Sequence, residues 1–281
     1  MIEIQNLHFG YQKSKPLFKG LNLRLAKGHI YGLLGKNGAG KSTLLKNIAG
    51  LAFPVKGSCL FNGINVSGRP VTVLEDIYFL AEELFVPDLT PAQFVANTAY
   101  FYPNFSKADF YQYLNVLDVD IDAVMDKQSY GQRKKAMIAF GLATNTGLII
   151  MDEPTNGLDI PSKIQFRKLI ASALTEERCI VISTHQVRDL DSLIDTLLIL
   201  HNGEILINQS VDDVVEKITF GSFHDTEGLP VLYQENGPRG KNVILKNTTG
   251  DYSKVDLEIL FNAIISGNQP VLQTLKAPGN E

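Results

Sequence analysis

The part of the chain that most restricts its fold is Gly35-Lys36-Asn37-Gly38-Ala39-Gly40-Lys41-Ser42, followed by Thr43. It fits the spacing G-x-x-x-x-G-K-[ST]. The apolar run Ile30–Leu34 before it reads as a strand, and Lys41–Ala49 after it reads as a helix. Glycines at these positions let the backbone curl until successive N–H groups point inward, where the helix N-terminus adds its positive end. Such a turn cradles phosphate oxygens, with Lys41 directed to the β- and γ-phosphates and the Ser42 hydroxyl to Mg²⁺. With Gly at about 7% of residues, the bare pattern arises by chance in roughly one chain in a hundred of this length. The strand before it and the helix after it make an accident rarer still.

The rest of the chain continues the alternation. Ile2–Leu7, Leu21–Leu25, Ser58–Phe61 and Ile77–Leu80 read as short strands. Residues 91 to about 124 are helical and aromatic-rich, and a helix from about 132 to 143 leads into the apolar strand Leu148–Met151. A helix (Ser162–Leu174), a strand (Cys179–Ser183), a short helix near Val187–Leu193 and the strands Thr196–Leu200 and Glu204–Ile207 follow. Strands alternating with helices predict an α/β fold on a mainly parallel sheet. The helical stretch, about 88–145, is expected as an insertion into it. Beyond about Phe220 the texture shifts to Gly, Asn and Thr with short strands such as Asn242–Leu245. A last helix is expected over 256–265, with Leu257, Leu260, Phe261, Ile264 and Ile265 on one face. The division expected is therefore 1–218 for a nucleotide-binding domain and 219–281 for a small C-terminal extension.

Charge and composition narrow the setting. A formal net charge of −4 gives no electrostatic reason to expect nucleic acid as a partner. The opening run MIEIQNLHFGYQK alternates apolar with polar residues like a strand, not like a secretion signal. No apolar run approaches the ~18 residues of a membrane span. Cys59 and Cys179, far apart in short strand-like runs, are expected as buried free thiols in a reducing compartment. These features point to a cytoplasmic protein whose membrane role, if any, comes through a partner.

The second informative run is Leu148-Ile-Ile-Met151-Asp152-Glu153, a buried strand ending in two carboxylates. At the carboxyl end of a parallel strand, Asp152 can hold the Mg²⁺ coordination shell near the phosphates, and Glu153 can point at an attacking water. Orienting and polarising that water is most of what a protein contributes to phosphoryl transfer. No N-K-x-D base-reading motif is present, which argues against a GTPase.

Taken together, GKNGAGKST, IIMDEPTNGLD and ISTH make residues 1–215 resemble the ATP-binding cassette (ABC) ATPases. The resemblance implies a P-loop NTPase (RecA-like) core with an N-terminal antiparallel β subdomain, an inserted helical subdomain and a small α+β C-terminal extension. It implies ATP and Mg²⁺ as cofactors. By it, Tyr11 in FGYQK would stack on adenine, and Asp159 would sit at a dimer interface. His185, 32 residues beyond Glu153, would contact the γ-phosphate and support that glutamate.

Two places depart from the family pattern. Glu82 stands where the family carries a glutamine that senses Mg²⁺ and water; it is either a substitute ligand or a loop acid. Gln128-Ser129-Tyr130-Gly131-Gln132 stands where the family carries Leu-Ser-Gly-Gly-Gln, keeping Ser129, Gly131 and Gln132. A Ser hydroxyl and a Gly N–H at a helix start can clamp a γ-phosphate, which in the family belongs to ATP held by the other protomer. Arg133, Lys134 and Lys135 are expected as a solvated face of that helix.

The implied partners are a second copy, forming an ATP-sandwich homodimer, or a paralogous ATPase subunit, and an integral membrane permease subunit. Tyr100, Phe101, Tyr102, Phe105, Phe110, Tyr111 and Tyr113 lie where the family receives a helix from that subunit; most are expected in the core and a minority exposed for docking. Glu82 and the run Val255–Phe261 resemble features of drug- and bacteriocin-resistance exporters. The resulting expectation is an ATP-hydrolysing exporter subunit on the inner face of the membrane. A non-transport ABC ATPase of assembly or translation, and a nucleotide-gated switch that hardly hydrolyses ATP, are the competing readings.

Overall fold

The computed structural model describes residues 1–277 apart from Lys13, Asp191 and Arg239; residues 278–281 of the expected C-terminal extension lie outside the described residues. The strands β1 (Ile2–Phe9) and β2 (Phe18–Leu25) pair antiparallel, and β3 (His29–Leu34) leads through the glycine loop into α1 (Lys41–Ile48). Next, β4 (Lys56–Phe61) and β5 (Ile64–Asn65) complete a four-stranded antiparallel sheet in the order β2-β1-β4-β5. After the short α2 (Val71–Leu74) and β6 (Ile77–Leu80) come the inserted helices α3 (Pro91–Thr98), α4 (Lys107–Val116) and α5 (Tyr130–Ala143). The chain then returns through β7 (Leu148–Asp152), α6 (Ile160–Ala173), β8 (Cys179–Thr184), β9 (Thr196–His201), β10 (Glu204–Ser210) and α7 (Val211–Lys217).

The main sheet has six strands in the order β10-β9-β3-β8-β7-β6, all parallel except β10. Every residue of β7 and β8 is buried, as a strand covered on both faces requires. In β1, by contrast, buried and less buried residues mix, because one face of that sheet meets solvent. Local chemistry sets the insertion's helix starts. Thr90 and Gln93 form a reciprocal capping box that spans Pro91, and the Ser106 hydroxyl accepts from the Asp109 N–H to start α4.

The C-terminal residues form a three-stranded sheet, β11 (Ile218–Phe223), β12 (Val231–Gly237) and β13 (Gly240–Lys246), with α8 (Leu257–Ile265) and α9 (Gln269–Lys276). Among the described residues this unit shares its core with the part before it. Ile244, Leu260, Ile264 and Val271 belong to one apolar cluster with Val187, Leu190, Ile194 and Val214 of the preceding part.

Several expectations shift. Leu257, Leu260 and Ile264 point inward as expected, but Ile259 and Ala263 are also buried while Phe261 and Ile265 are only half-buried, because α8 is covered over a wide arc. The helix expected near 187–193 is a 3-10 turn at Val187–Leu190, and Asp191 lies outside the described residues. Helix α9, which no periodicity flagged, starts where the Asn268 side chain accepts from the Val271 N–H and Pro270 follows. Of the seven aromatics of the insertion, Phe110 is buried, Tyr102, Phe105 and Tyr113 pack against the core, and Tyr100, Phe101 and Tyr111 are exposed. Cys59 and Cys179 are buried free thiols, each pushed up to about 12 by burial. No helix among the described residues is long and apolar enough to cross a membrane.

Candidate active site

Strands β3, β8, β7 and β6 are consecutive parallel neighbours, so their carboxyl ends form a row. Ligands of open α/β sheets bind along such a row. The glycine loop leaves β3, Asp152 and Glu153 end β7, His185 follows β8, and Glu82 lies two residues past β6. A cavity of about 750 Å³ lies there, lined by Lys36, Asn37, Gly38, Gly40, Lys41, Ser42 and Thr43, by Tyr11 at its side, and by Glu82, Glu153 and His185 across from the loop. Gly35 and Ala39 complete the loop without lining the cavity.

The loop geometry requires glycine at Gly40. Its φ is 103°, and a Cβ there would stand 3.0 Å from Leu17 and 3.2 Å from Phe18. Lys41 is buried; its Nζ donates to the Gly35 carbonyl at 2.9 Å and lies 3.6 Å from Glu153 Oε1. Tyr11 is 72% exposed, edge-on to Phe9 at 5.2 Å, with its hydroxyl 3.3 Å from Thr43 Oγ1. A ring held at a cavity edge with one face open suits stacking on a flat heterocycle.

The two acids are both buried but do different things. Glu153 has φ 47°, in the left-handed region, and this kink sends consecutive side chains apart. Asp152 accepts from the Ser183 hydroxyl and does not line the cavity. Glu153 does line it, with Oε1 at 2.9 Å from His185 Nδ1. Glu153 Oε2 is buried without a hydrogen-bond partner. A buried carboxylate oxygen left unpaired is costly, which suits a group waiting for a donor.

The clamp residues lie elsewhere. Ser129 caps α5, its hydroxyl oxygen accepting from the Gln132 N–H at 3.3 Å, with Gly131 in the same turn. Asp159 caps α6, accepting from the Ser162 N–H at 3.0 Å. Hydrogen bonds from Ser162 hold the Asp159 carboxyl below its usual range. Ser129, Gly131, Gln132 and Asp159 all stand outside the cavity that their own chain forms.

One expectation fails outright. Lys134 and Lys135 are not a solvated face: Lys134 is 0% exposed and Lys135 8%. Helix α5 is covered on most sides, and Lys134 Nζ donates to the Glu153 carbonyl at 2.7 Å. Burial drives its ammonium down to about 8. Sequence reasoning also missed what Tyr130 touches. Its hydroxyl donates to the Glu82 carbonyl at 2.5 Å, and its ring lies so close to Gly157 that a Cβ there would be 2.7 Å from Tyr130 Cδ1. Glu82 Oε1 in turn accepts from Asn156 Nδ2 at 3.3 Å, and Asn156 Oδ1 from Gln186 Nε2 at 3.3 Å. No local pattern flags these partners, because each contact spans 30 or more residues of sequence.

The comparisons with known proteins bear on this geometry. The ABC transporter family model matches residues 18–156. The lantibiotic transport ATP-binding protein SrtF of Streptococcus pyogenes is 32% identical over 214 residues, covering 75% of this chain and 92% of that protein. The chain belongs to the ABC transporter ATP-binding proteins. A solved ATP-binding subunit of an ABC transporter superposes with a TM-score of 0.68 at 26% identity, over 76% of this chain and 91% of that one. A dimeric ATP-binding cassette in a post-hydrolysis state, bound to ADP and Pi, shares the fold with a TM-score of 0.66 at 21% identity, over 75% of this chain and 99% of that one. This ABC protein is thus an ATP-binding, ATP-hydrolysing transporter subunit with a P-loop α/β core. The reading as a cassette of assembly or translation is set aside, because the relatives matched include a lantibiotic transport protein at 32% identity over most of its length.

Proposed function

We propose that two copies of this ABC ATPase, or one copy and a paralogous subunit, close head to tail on two ATP molecules and drive a separate membrane permease subunit in an exporter. The observation that carries the reading is Glu153: a buried carboxylate lining the phosphate-loop cavity, with one oxygen beside His185 and Lys41 and the other unpaired. In this reading Glu153 orients and polarises the attacking water, and His185 holds the Glu153 carboxylate and reaches the γ-phosphate. Gly35 through Thr43 wrap the phosphates, Lys41 pairs with the β- and γ-phosphates, and Tyr11 stacks on adenine.

Mg²⁺ would be held in the cavity by Ser42 with Glu82 close to its shell, and Asp152, which stands outside the cavity on the Ser183 hydroxyl, would act on it through a coordinated water. Among the described residues no three acidic or histidine side chains gather into a metal cage. That donor set fits Mg²⁺, which takes one or two carboxylates and keeps waters and phosphate oxygens for the rest. When bound it would neutralise charge developing on the phosphates.

Ser129, Gly131 and Gln132 act on the ATP of the other protomer, and Asp159 lies at the dimer contact. Support comes from their position outside the cavity of their own chain and from the dimeric cassette of the same fold. Export is supported by the lantibiotic transport relative. A groove of about 660 Å³ between the insertion and the core, lined by Leu51, Val71, Phe79, Phe101 and Tyr102, is the place proposed for a permease helix. That attachment puts the protein on the cytoplasmic face of the membrane. The chain would divide at about residue 218, with the nucleotide-binding domain before it and the extension after it.

The decisive experiment measures ATP turnover and mass in solution for the wild type and Glu153→Gln. The variant is expected to bind ATP, lose hydrolysis and accumulate as a stable dimer. Hydrolysis by the variant at the wild-type rate would remove Glu153 from this role.

A further inference from the structure

Lys134 is the most unusual buried group outside the nucleotide cavity. It lies five residues after Ser129 on α5 and is 0% exposed. Among the described residues its ammonium donates to the Glu153 backbone carbonyl and makes no ion pair. The Tyr130 ring covers it, with Nζ 5.1 Å from the ring centroid. Taking an ammonium out of water is expensive, and an apolar side chain of similar volume would fill this space at lower cost. Stability does not explain the residue, so its contact must.

That contact is with the one non-glycine residue of the site held in the left-handed region. Glu153 sits at φ 47°. Its N–H is taken from the β8 side, by the Ser183 carbonyl at 3.1 Å and the Ser183 hydroxyl at 3.3 Å. Its carbonyl is taken from the α5 side by Lys134 at 2.7 Å, and at a longer 3.3 Å by the Asn156 N–H of the following turn. The two peptides flanking Glu153 are therefore held by different elements, which is what keeps an unfavourable backbone conformation in place.

We propose that Lys134 is a positioning residue for ATP hydrolysis: its ammonium locks the peptide after Glu153 and so aims the Glu153 carboxylate into the phosphate-loop cavity. This rests on Glu153 being the group that orients the attacking water. Without Lys134 the carbonyl keeps only the longer bond from the Asn156 N–H, the turn loosens, and the carboxylate drifts from His185 and Lys41. Because Lys134 lies on the helix that Ser129 caps, the clamp and the water-orienting glutamate of one chain share a single rigid support.

The test compares wild type, Lys134→Met, Lys134→Gln and Glu153→Gln as full chains. It uses steady-state ATP hydrolysis, binding of a fluorescent ATP analogue and thermal melting. Lys134→Met fills the volume but donates nothing. It is expected to bind nucleotide as the wild type does while kcat falls about 10- to 100-fold with KM unchanged. Lys134→Gln, one bond shorter but still a donor, is expected to fall between the two. A wild-type kcat in Lys134→Met, or in Lys134→Gln should the Met variant fail to melt cooperatively, overturns the proposal. So does a Gln variant as slow as the Met variant, since packing alone would then account for the loss. Wild-type hydrolysis in Glu153→Gln instead overturns the reading of the site beneath it.

Discussion

The phosphate loop and the Ser129 turn use the same device and reach opposite degrees of completion. Each presents small residues at the N-terminus of a helix, where N–H groups lack helical partners and the dipole is positive. At α1 that end faces a cavity which already holds Lys41, Glu153 and His185, joined by contacts of 2.9 and 3.6 Å. At α5 it faces away from the cavity, and Ser129 and Asp159 meanwhile cap their own helices. The difference follows from topology. The loop leaves β3, next to the carboxyl ends of β8 and β7 in the sheet, whereas α5 belongs to the insertion and reaches the site only from behind. One helix start is built into a cavity of its own chain, and the other is not.

Four substitutions break or sharpen this contrast. Ser129→Arg should do the most: turnover falls about 10²-fold or more, as when a transition-state donor is removed, while monomer nucleotide binding stays intact. Unchanged turnover would mean that the clamp does not act on a second molecule. Lys41→Ala should show the reverse pattern in an equilibrium titration. Loss of a charge-assisted phosphate contact worth about 1.5–3 kcal/mol weakens ATP binding roughly 10- to 100-fold in the monomer itself. Tyr130→Phe removes only the hydrogen bond to the Glu82 carbonyl, about 1 kcal/mol, and should lower Tm by roughly 2–4 °C. No shift in Tm would show that the ring, not the hydroxyl, holds the turn. Arg188→Ala, which breaks an exposed 2.9 Å pair with Glu258 at the junction with the C-terminal unit, should change stability by no more than roughly 0.5 kcal/mol. A larger effect would mean that this junction depends on charge more than on the shared apolar core.

Much of the cradle was legible because its parts are local. Gly35 through Thr43 carry their own strand and helix, and Asp152-Glu153 follow a run apolar enough to be a buried strand. His185 is harder to read, since one histidine after one strand says little alone; only the parallel pairing of β7 with β8 puts it beside Glu153. Lys134 was misread for the opposite reason. Three consecutive cations look solvated, but side chains one position apart point in different directions around a helix. Two of those directions face the interior of the domain. The C-terminal unit shows a different limit: α9 is amphipathic but only eight residues long, and its buried face rests on two positions, Val271 and Leu275.

By itself the sequence determined the phosphate loop, the order of strands and helices, and the pair of acids at the end of β7, because each depends on neighbouring residues and backbone conformations. Only the tertiary structure decided which acid faces the cavity, that Tyr130 bridges to Glu82, and that Lys134 holds Glu153 from behind. Those depend on a left-handed turn at Glu153 and on side chains 19 to 48 residues apart, brought together by packing that no local pattern encodes.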